Sequence, residues 1–305
     1  MKEIIPPVDI ALLESELNSD RFVRKVNKGE EEIYIVNQHN APNVLREIGR
    51  LREITFRAAG GGTGEELDLD EQDLQENCYD QLIVWSPEEK GIISGYRFFD
   101  CAKLSGPENL KQELSSTHYF NFSDQFVSEY LPQTVELGRS WVRTDHQPQV
   151  NPRKGLYALD NLWDGLGALV KNYPHMNYFF GKVTMYTNYD SQARDAVLQF
   201  MRHYFPDPDQ LVVPINPLNS KNDISEFIAN LEGKDFKEGM RTLIKFVRSR
   251  EELVPPLIKS YMQLSPTMKS FGTAHNSEFG GVEETGIMIN INDIYEEKMT
   301  RHVEF

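Results

Sequence analysis

The chain has 305 residues, 39% of them hydrophobic and including 17 Phe and 13 Tyr, which is enough to bury a core and excludes wholesale disorder. Its formal net charge of -15 repels phosphate backbones, so nucleic acid is excluded as a partner. Two cysteines, Cys78 and Cys101, make no disulfide framework, and seven scattered His without an HExxH spacing predict no metal site.

Residues 1–9 lack the basic start and apolar stretch of a signal peptide. Nowhere do about 18 apolar residues run together, so no membrane-spanning helix is expected. The expectation is a cytoplasmic protein, with peripheral contact on the inner membrane left open. Residues 1–30 read as a polar N-terminal arm with a helical patch over Ile10–Leu17. The remainder, 31–305, reads as one domain with a helical insertion at about 207–253.

Glu31–Val36 predicts a strand. Val44, Leu45, Ile48, Leu51 and Ile54 then recur at helical steps, and Arg46, Arg50, Arg52 and Arg57 decorate that helix. Gly60-Gly61-Gly62-Thr63-Gly64 ends it without the Gly-Lys-Ser/Thr of a phosphate loop, and reads as a flexible hinge or lid. The acidic run Glu65–Asp73 has no calcium-loop spacing. It is either a solvated loop or a mobile one able to hold a cationic amine. Gln81–Trp85 and Gly91–Phe99 predict a hairpin, with Arg97 near the end of its second strand.

Residues 118–131 predict a short helix. Val135–Val142 alternates polar and apolar residues as a half-buried strand does. Glu136 and Arg139 stand three apart there, on opposite faces of an ideal strand, and Gly138 between them can admit a bulge that re-aims one of them. A helix beginning after Gly155, preceded by Arg153 and Lys154, is a candidate anion-binding N-terminus. A strand over Tyr178–Tyr186, a helix over Ser191–Tyr204 and closing strands at Lys269–His275 and Gly286–Ile291 follow. This order predicts an α/β (α+β) fold, a mixed central sheet flanked by helices. The helix Asp235–Ser249 sets Lys237, Arg241, Lys245 and Arg248 in a basic stripe beside its apolar one. Such a stripe is either a solvated face or, in so acidic a chain, a dock for an anionic protein or lipid.

Several of these pieces together resemble a family. Leu51-Arg52-Glu53-Ile54-Thr55-Phe56, the Asp70/Asp73 pair, Arg97 in Gly-Tyr-Arg-Phe and Glu136-Leu137-Gly138-Arg139 resemble, in order, motifs of acyl-homoserine-lactone synthases. Glu-Leu-Gly-Arg-Ser, Pro255–Tyr261 and the ending Arg301-His302-Val303 are more similar still to the hemolysin-like N-acyltransferases that make ornithine and glycine lipids. Trp141 stands where the ornithine enzymes have Cys, and Phe271-Gly272-Thr273-Ala274 where they have Gly-Pro-Ala, so glycine is as well supported as ornithine.

The resemblance implies a GNAT-like acyltransferase fold. It also implies transfer of a 3-hydroxyacyl chain from acyl carrier protein to the α-amine of a small amino acid, with the acyl carrier as co-substrate and no permanently bound cofactor. Glu136 would then be the base that takes the amine's proton. A glutamate's ordinary pKa of about 4.3 is low for that task, so burial or a bound water must help. Arg52, Arg97 and Arg139 with Asp70 and Asp73 would hold the acidic loop shut, and one of these arginines would meet the substrate carboxylate. Backbone N–H groups near Trp141 and Val142 would stabilise the oxyanion, and Arg153, Lys154 and Gly155 the carrier's phosphate. Lys237, Arg241, Lys245 and Arg248 would dock the carrier protein or a membrane. The alternatives are a lactone signal synthase and a non-catalytic binding protein on the same fold.

Overall fold

The structure, a computed structural model, describes the chain apart from Gln149, Lys221 and the side chain of Leu156. Lys221, part of the expected insertion, therefore lies outside the described residues. The chain is mixed α/β and divides into two compact units. The first comprises residues 1–115, 133–177 and 296–305, and the second residues 116–132 and 178–295.

In the first unit, β1 (Phe22–Lys25), β2 (Glu32–Val36), β3 (Asp80–Ser86), β4 (Gly91–Asp100) and β6 (Thr134–Val142) pair in that order, each ladder antiparallel. The expected hairpin is β3–β4. The N-terminal arm holds α1 (Ile10–Glu16) and β1, and β1 extends the sheet beside β2. Helix α2 (Pro42–Ala59) covers one sheet face and α5 (Pro152–Asn172) the other. Gly165 of α5 lets that helix sit directly on Leu82, where a Cβ would come within 2.4 Å of Cδ2. Short helices α3 (Glu71–Leu74) and α4 (Leu110–Glu113) lie in the connections, and α10 (Glu296–His302) closes the unit. Arg24 of β1 donates to the backbone carbonyls of Asp164 and His302, and His302 bonds Asp164 at 2.7 Å, so the unit's two ends are fastened to α5.

The second unit pairs β7 (Tyr178–Met185), β10 (Val282–Asn290) and β9 (Lys269–Asn276) antiparallel. A two-stranded ribbon joins β5 (Phe120–Phe122) to β8 (Val212–Pro214). Helices α6 (Ser191–Tyr204), α7 (Ser225–Ala229), α8 (Phe236–Ser249) and α9 (Pro256–Met262) complete it. The short helix expected over 118–131 is narrowed: Phe120 and Phe122 pair in the ribbon, and the helical turns run over 124–133, with Phe126–Tyr130 as a wide turn. The ribbon's other strand lies in the Pro- and Asn-rich segment, so no local pattern reveals it. Phe122, Phe126 and Phe180 pack with ring centroids 4.8–5.6 Å apart in the unit's core.

Candidate active site

Residues directly opposite in an antiparallel ladder point to the same face of the sheet. Gln81, Arg97 and Gly138 form one such row across β3, β4 and β6, and Phe99 and Glu136 form the next. Tyr79 packs on Phe99 with ring centroids 5.1 Å apart. This face meets α2, whose Arg52 has its whole side chain buried.

Beyond Arg97 the β4–β6 register slips, and Tyr96 alone stands opposite both Arg139 and Ser140. The expected bulge is there, one residue later than Gly138 suggests. Arg139 itself adopts the left-handed conformation, with φ at 47°. A side chain in that region costs about 1–2 kcal/mol, so surrounding contacts must hold it. They do: Arg139 Nε lies 3.1 and 3.0 Å from the two oxygens of Asp68, and its NH2 3.6 Å from Asp70. The bulge thus turns Arg139 onto the face that carries Glu136 and Arg97.

Three arginines and three aspartates form one neutral network. Arg52 Nε donates to Asp68 (2.9 Å) and its NH1 to Asp73 (3.2 Å). Arg97 NH1 donates to both oxygens of Asp70 (2.6 and 2.7 Å) and to Asp73 (3.2 Å), and Gln81 Nε2 to Asp73 (2.9 Å). Asp70 and Asp73 also cap α3 reciprocally, each accepting the other's backbone N–H. Burial alone would push the Asp70 carboxyl up, but Arg97, Arg139 and Arg52 hold it well below the usual range. Asp68 is lowered against its own burial by Arg139 and Arg52. Burial would lower Arg97, yet Asp70 and Asp73 raise it well above its ordinary value. Of the six side chains only Asp70 (30% exposed) and Arg139 (15%) reach solvent appreciably.

The acidic run is therefore no solvated loop. It crosses α2 where Asp68 N–H donates to the Gly49 carbonyl (3.0 Å), and a Cβ on Gly49 would meet Leu69 at 2.7 Å. The Gly60–Gly64 segment is likewise no free hinge. The buried Glu53 carboxylate accepts from Arg57 Nε (2.6 Å), Thr63 N (3.0 Å), Thr63 Oγ1 (2.8 Å) and Gly64 N (2.8 Å).

Glu136 is 1% exposed. Tyr79 OH donates to one of its oxygens (2.5 Å) and Ser115 Oγ to the other (3.3 Å), and the Ser115 N–H donates to the Tyr79 oxygen (3.1 Å). Burial and then the Glu136 charge raise Tyr79 well above the ordinary phenol value, so it stays a proton donor to Glu136. Glu136 and Arg139 are thus held by different partners, but Glu136 is buried under two hydroxyls and does not reach solvent.

Arg143 N–H donates to the Ile93 carbonyl (2.8 Å). Antiparallel pairs alternate, so Gly95–Trp141 is the next hydrogen-bonded pair and the Val142 N–H points away from β4. The Val142 carbonyl, also turned away, accepts from Gln147 Nε2 (3.0 Å). Of the two expected oxyanion donors, the Val142 N–H faces away from β4, while the Trp141 N–H faces β4 in the ladder and its ring is buried.

Helix α5 starts at Pro152, capped by Asn151 accepting from Lys154 N (3.1 Å), and not after Gly155 as expected. Arg153, Lys154 and Gly155 occupy its first turn, where a Cβ on Gly155 would strike Pro148. Lys154 Nζ is bound to Glu89 (2.6 Å). Glu89, Asp145 and His146 bring ligand-type atoms within 4.8 Å of one another, a cluster the spacing did not suggest. Arg143 and Lys154 already pair with Glu89 there, which a cation would have to displace. Lys237, Arg241, Lys245 and Arg248 are all exposed along α8.

Sequence reasoning missed Asp68, Glu53, Gly49, Tyr79 and Ser115. Only Asp68 carried a signal, its alternation with Asp70 around Leu69.

A strand bulged beside a sheet-face charge network is the feature against which the comparisons with known proteins are set. A family profile described as acetyltransferase (GNAT) domain matches residues 51–153, the span from Arg52 to α5. The chain is 50% identical over its full 305 residues to a glycine N(alpha)-acyltransferase of Phocaeicola vulgatus, covering 93% of that protein. It is 51% identical, again over its full length, to the protein of the same name from Bacteroides thetaiotaomicron, covering 90% of it. Among solved structures, the acyl-homoserine-lactone synthase LasI aligns over 90% of this chain and 96% of its own, with 11% identity and a TM-score of 0.43. The chain belongs to the family of these glycine N(alpha)-acyltransferases. No helix among the described residues is long and apolar enough to cross a membrane.

Proposed function

We propose that this acyltransferase moves a long, 3-hydroxylated acyl chain from the thioester of an acyl carrier protein to the α-amine of glycine, a step of aminolipid synthesis. The observation that supports glycine as acceptor is the half identity, end to end, with two relatives that bear the glycine N(alpha)-acyltransferase name; the carrier thioester and the 3-hydroxyacyl chain are what the motif resemblance implies. In this reaction the amine nitrogen bonds to the thioester carbon, the C–S bond breaks, the carrier thiol leaves and one proton departs from the ammonium. No enzyme nucleophile is needed, only a neutral amine held close to the carbonyl.

Glu136 takes the proton through the Ser115 hydroxyl that already donates to it. The Val142 N–H stabilises the oxyanion, and the buried Trp141 ring walls the strand beside it. Arg153 and Lys154, with Gly155 in the first turn of α5, receive the carrier's phosphate. Lys237, Arg241, Lys245 and Arg248 supply a local positive field for an acidic carrier protein on a chain of net charge -15. The enzyme works in the cytoplasm without a resident cofactor, and its amphiphilic product places it against the inner membrane surface.

Purified protein is incubated with 3-hydroxyacyl carrier protein and glycine, ornithine or S-adenosylmethionine, and products are read by mass spectrometry. N-acylglycine is expected. A lactone from S-adenosylmethionine, preference for ornithine, or no N-acyl product would each overturn the reading.

A further inference from the structure

We propose that the Nε edge of the Arg97 guanidinium, beside Gly138, is the subsite for the substrate's α-carboxylate, while Asp70 on the same guanidinium receives its α-ammonium. The inference rests on the N-acylation reading and names how that site recognises its amino acid.

Arg97 commits NH1 to Asp70 and Asp73, and its plane lies over the Tyr79 ring at 5.0 Å. Its Nε is buried without an acceptor. A charged donor left unpaired in the interior is costly, so such a group marks a place completed by a ligand or a water. Gly138 stands in register opposite. A Cβ built there would have only Arg97 Nε (3.4 Å) and Cγ (3.6 Å) within 4 Å. Gly138 is not among the glycines with positive φ, so the backbone does not require glycine. What its missing side chain provides is room beside the unpaired N–H. Arg52 NH2 is the network's other unpaired donor, but it belongs to the fully buried side chain on α2.

The side edge of a guanidinium matches a carboxylate in the bidentate fashion. Asp70, held ionised and the most exposed member of the network, accepts an ammonium at the neighbouring nitrogen. Three arginines and three aspartates already cancel. A zwitterion of zero net charge enters without unbalancing them, whereas ornithine or S-adenosylmethionine would bring an extra positive charge into a poorly solvated place.

Gly138→Ala fills that room with contacts of ordinary length and no backbone strain, so the fold survives. With the acyl carrier saturating, KM for glycine should rise at least about tenfold while kcat changes less than about threefold, the signature of lost substrate binding. Thermal melting supplies a reading independent of turnover. Glycine should raise the wild-type midpoint, glycinamide (which lacks the carboxylate) should not, and Gly138→Ala should respond to neither.

A glycine KM unchanged within about twofold in Gly138→Ala would overturn the subsite, leaving only an ordered water in the room. Equal shifts by glycine and glycinamide would overturn it as well. Wild-type protein that melts higher with glycine alone yet forms no N-acyl product would defeat the acylation reading and keep the subsite. Normal N-acylglycine formation with an unaffected Gly138→Ala would do the reverse.

Discussion

Asp68→Asn is the most direct probe of the charge network, because it removes a charge and almost nothing else. Asp68 is fully buried, with Arg52 Nε at 2.9 Å on one oxygen and Arg139 Nε at 3.1 Å on the other. The network is neutral as folded, so the substitution leaves one uncompensated positive charge inside the sheet–helix interface. Removing one partner of a buried ion pair costs about 3–5 kcal/mol. Asparagine keeps one acceptor oxygen, which places the expected loss at the lower end, about 3 kcal/mol. For a unit of this size that corresponds to a fall in Tm of roughly 6–12 °C.

The three tryptophans, Trp85, Trp141 and Trp163, all lie in the first unit, so their fluorescence during urea or thermal unfolding reports that unit alone. Adding Arg139→Gln restores neutrality, and the double variant should recover at least about 1 kcal/mol of the summed losses. A single-variant loss below about 1 kcal/mol, or additive losses in the double, would show that the network is not an electrostatic unit.

Glu136→Gln keeps one acceptor oxygen for Tyr79 and turns its NH2 to the Ser115 hydroxyl, which can rotate to accept, so it should melt close to wild type and lose turnover by about a hundredfold or more; undiminished N-acylation would remove Glu136 as the base. Glu53→Gln weakens the anchor of Thr63 and Gly64 at a cost of about 1–3 kcal/mol, and limited proteolysis should then cut within 60–66 faster than in wild type. Reversing Arg241 and Lys245 to Glu should raise KM for the acyl carrier protein but not for a small acyl thioester, and equal effects on both would dissociate α8 from docking.

On acidification, Asp68 and Asp70 are the groups to watch. Their folded pKa values lie below the unfolded value of about 3.9, so the stability they contribute is complete above that pH and is lost as pH falls through the lower folded values. The first unit should therefore weaken below about pH 4, with a shallower slope in Asp68→Asn. An identical slope in the variant would contradict the assignment.

The parts of this site legible in the sequence are those where a charge interrupts a pattern that otherwise buries everything. Arg97 within an apolar strand, and Glu136 and Arg139 within an alternating one, announce themselves because a buried charge needs a partner. Each of those three does have one here. What stayed hidden has tertiary causes. Asp68 looked like one acid in a solvated run because nothing local shows that Gly49 lets the loop cross α2 and bury it. The bulge was foreseen at the residue best able to adopt positive φ. Arg139 takes that conformation instead, since its pairing with Asp68 and Asp70 offsets the strain, and this leaves Gly138 extended and free to be small for another reason.

The glycine-rich stretch shows the same limit from the other side. Reading Gly60–Gly64 as a hinge assumes that its backbone donors are solvated. Two of the segment's N–H groups and a hydroxyl end on one buried carboxylate, Glu53, adjacent in sequence to the arginine that holds Asp68 and Asp73. Neighbouring residues of one helical turn thus anchor both halves of the loop, so the glycines there provide turn geometry and not mobility. The same anchoring fixes Asp70 and Asp73, whose carboxylates are held by Arg97 and Arg52, so the network's geometry is set by contacts within the fold.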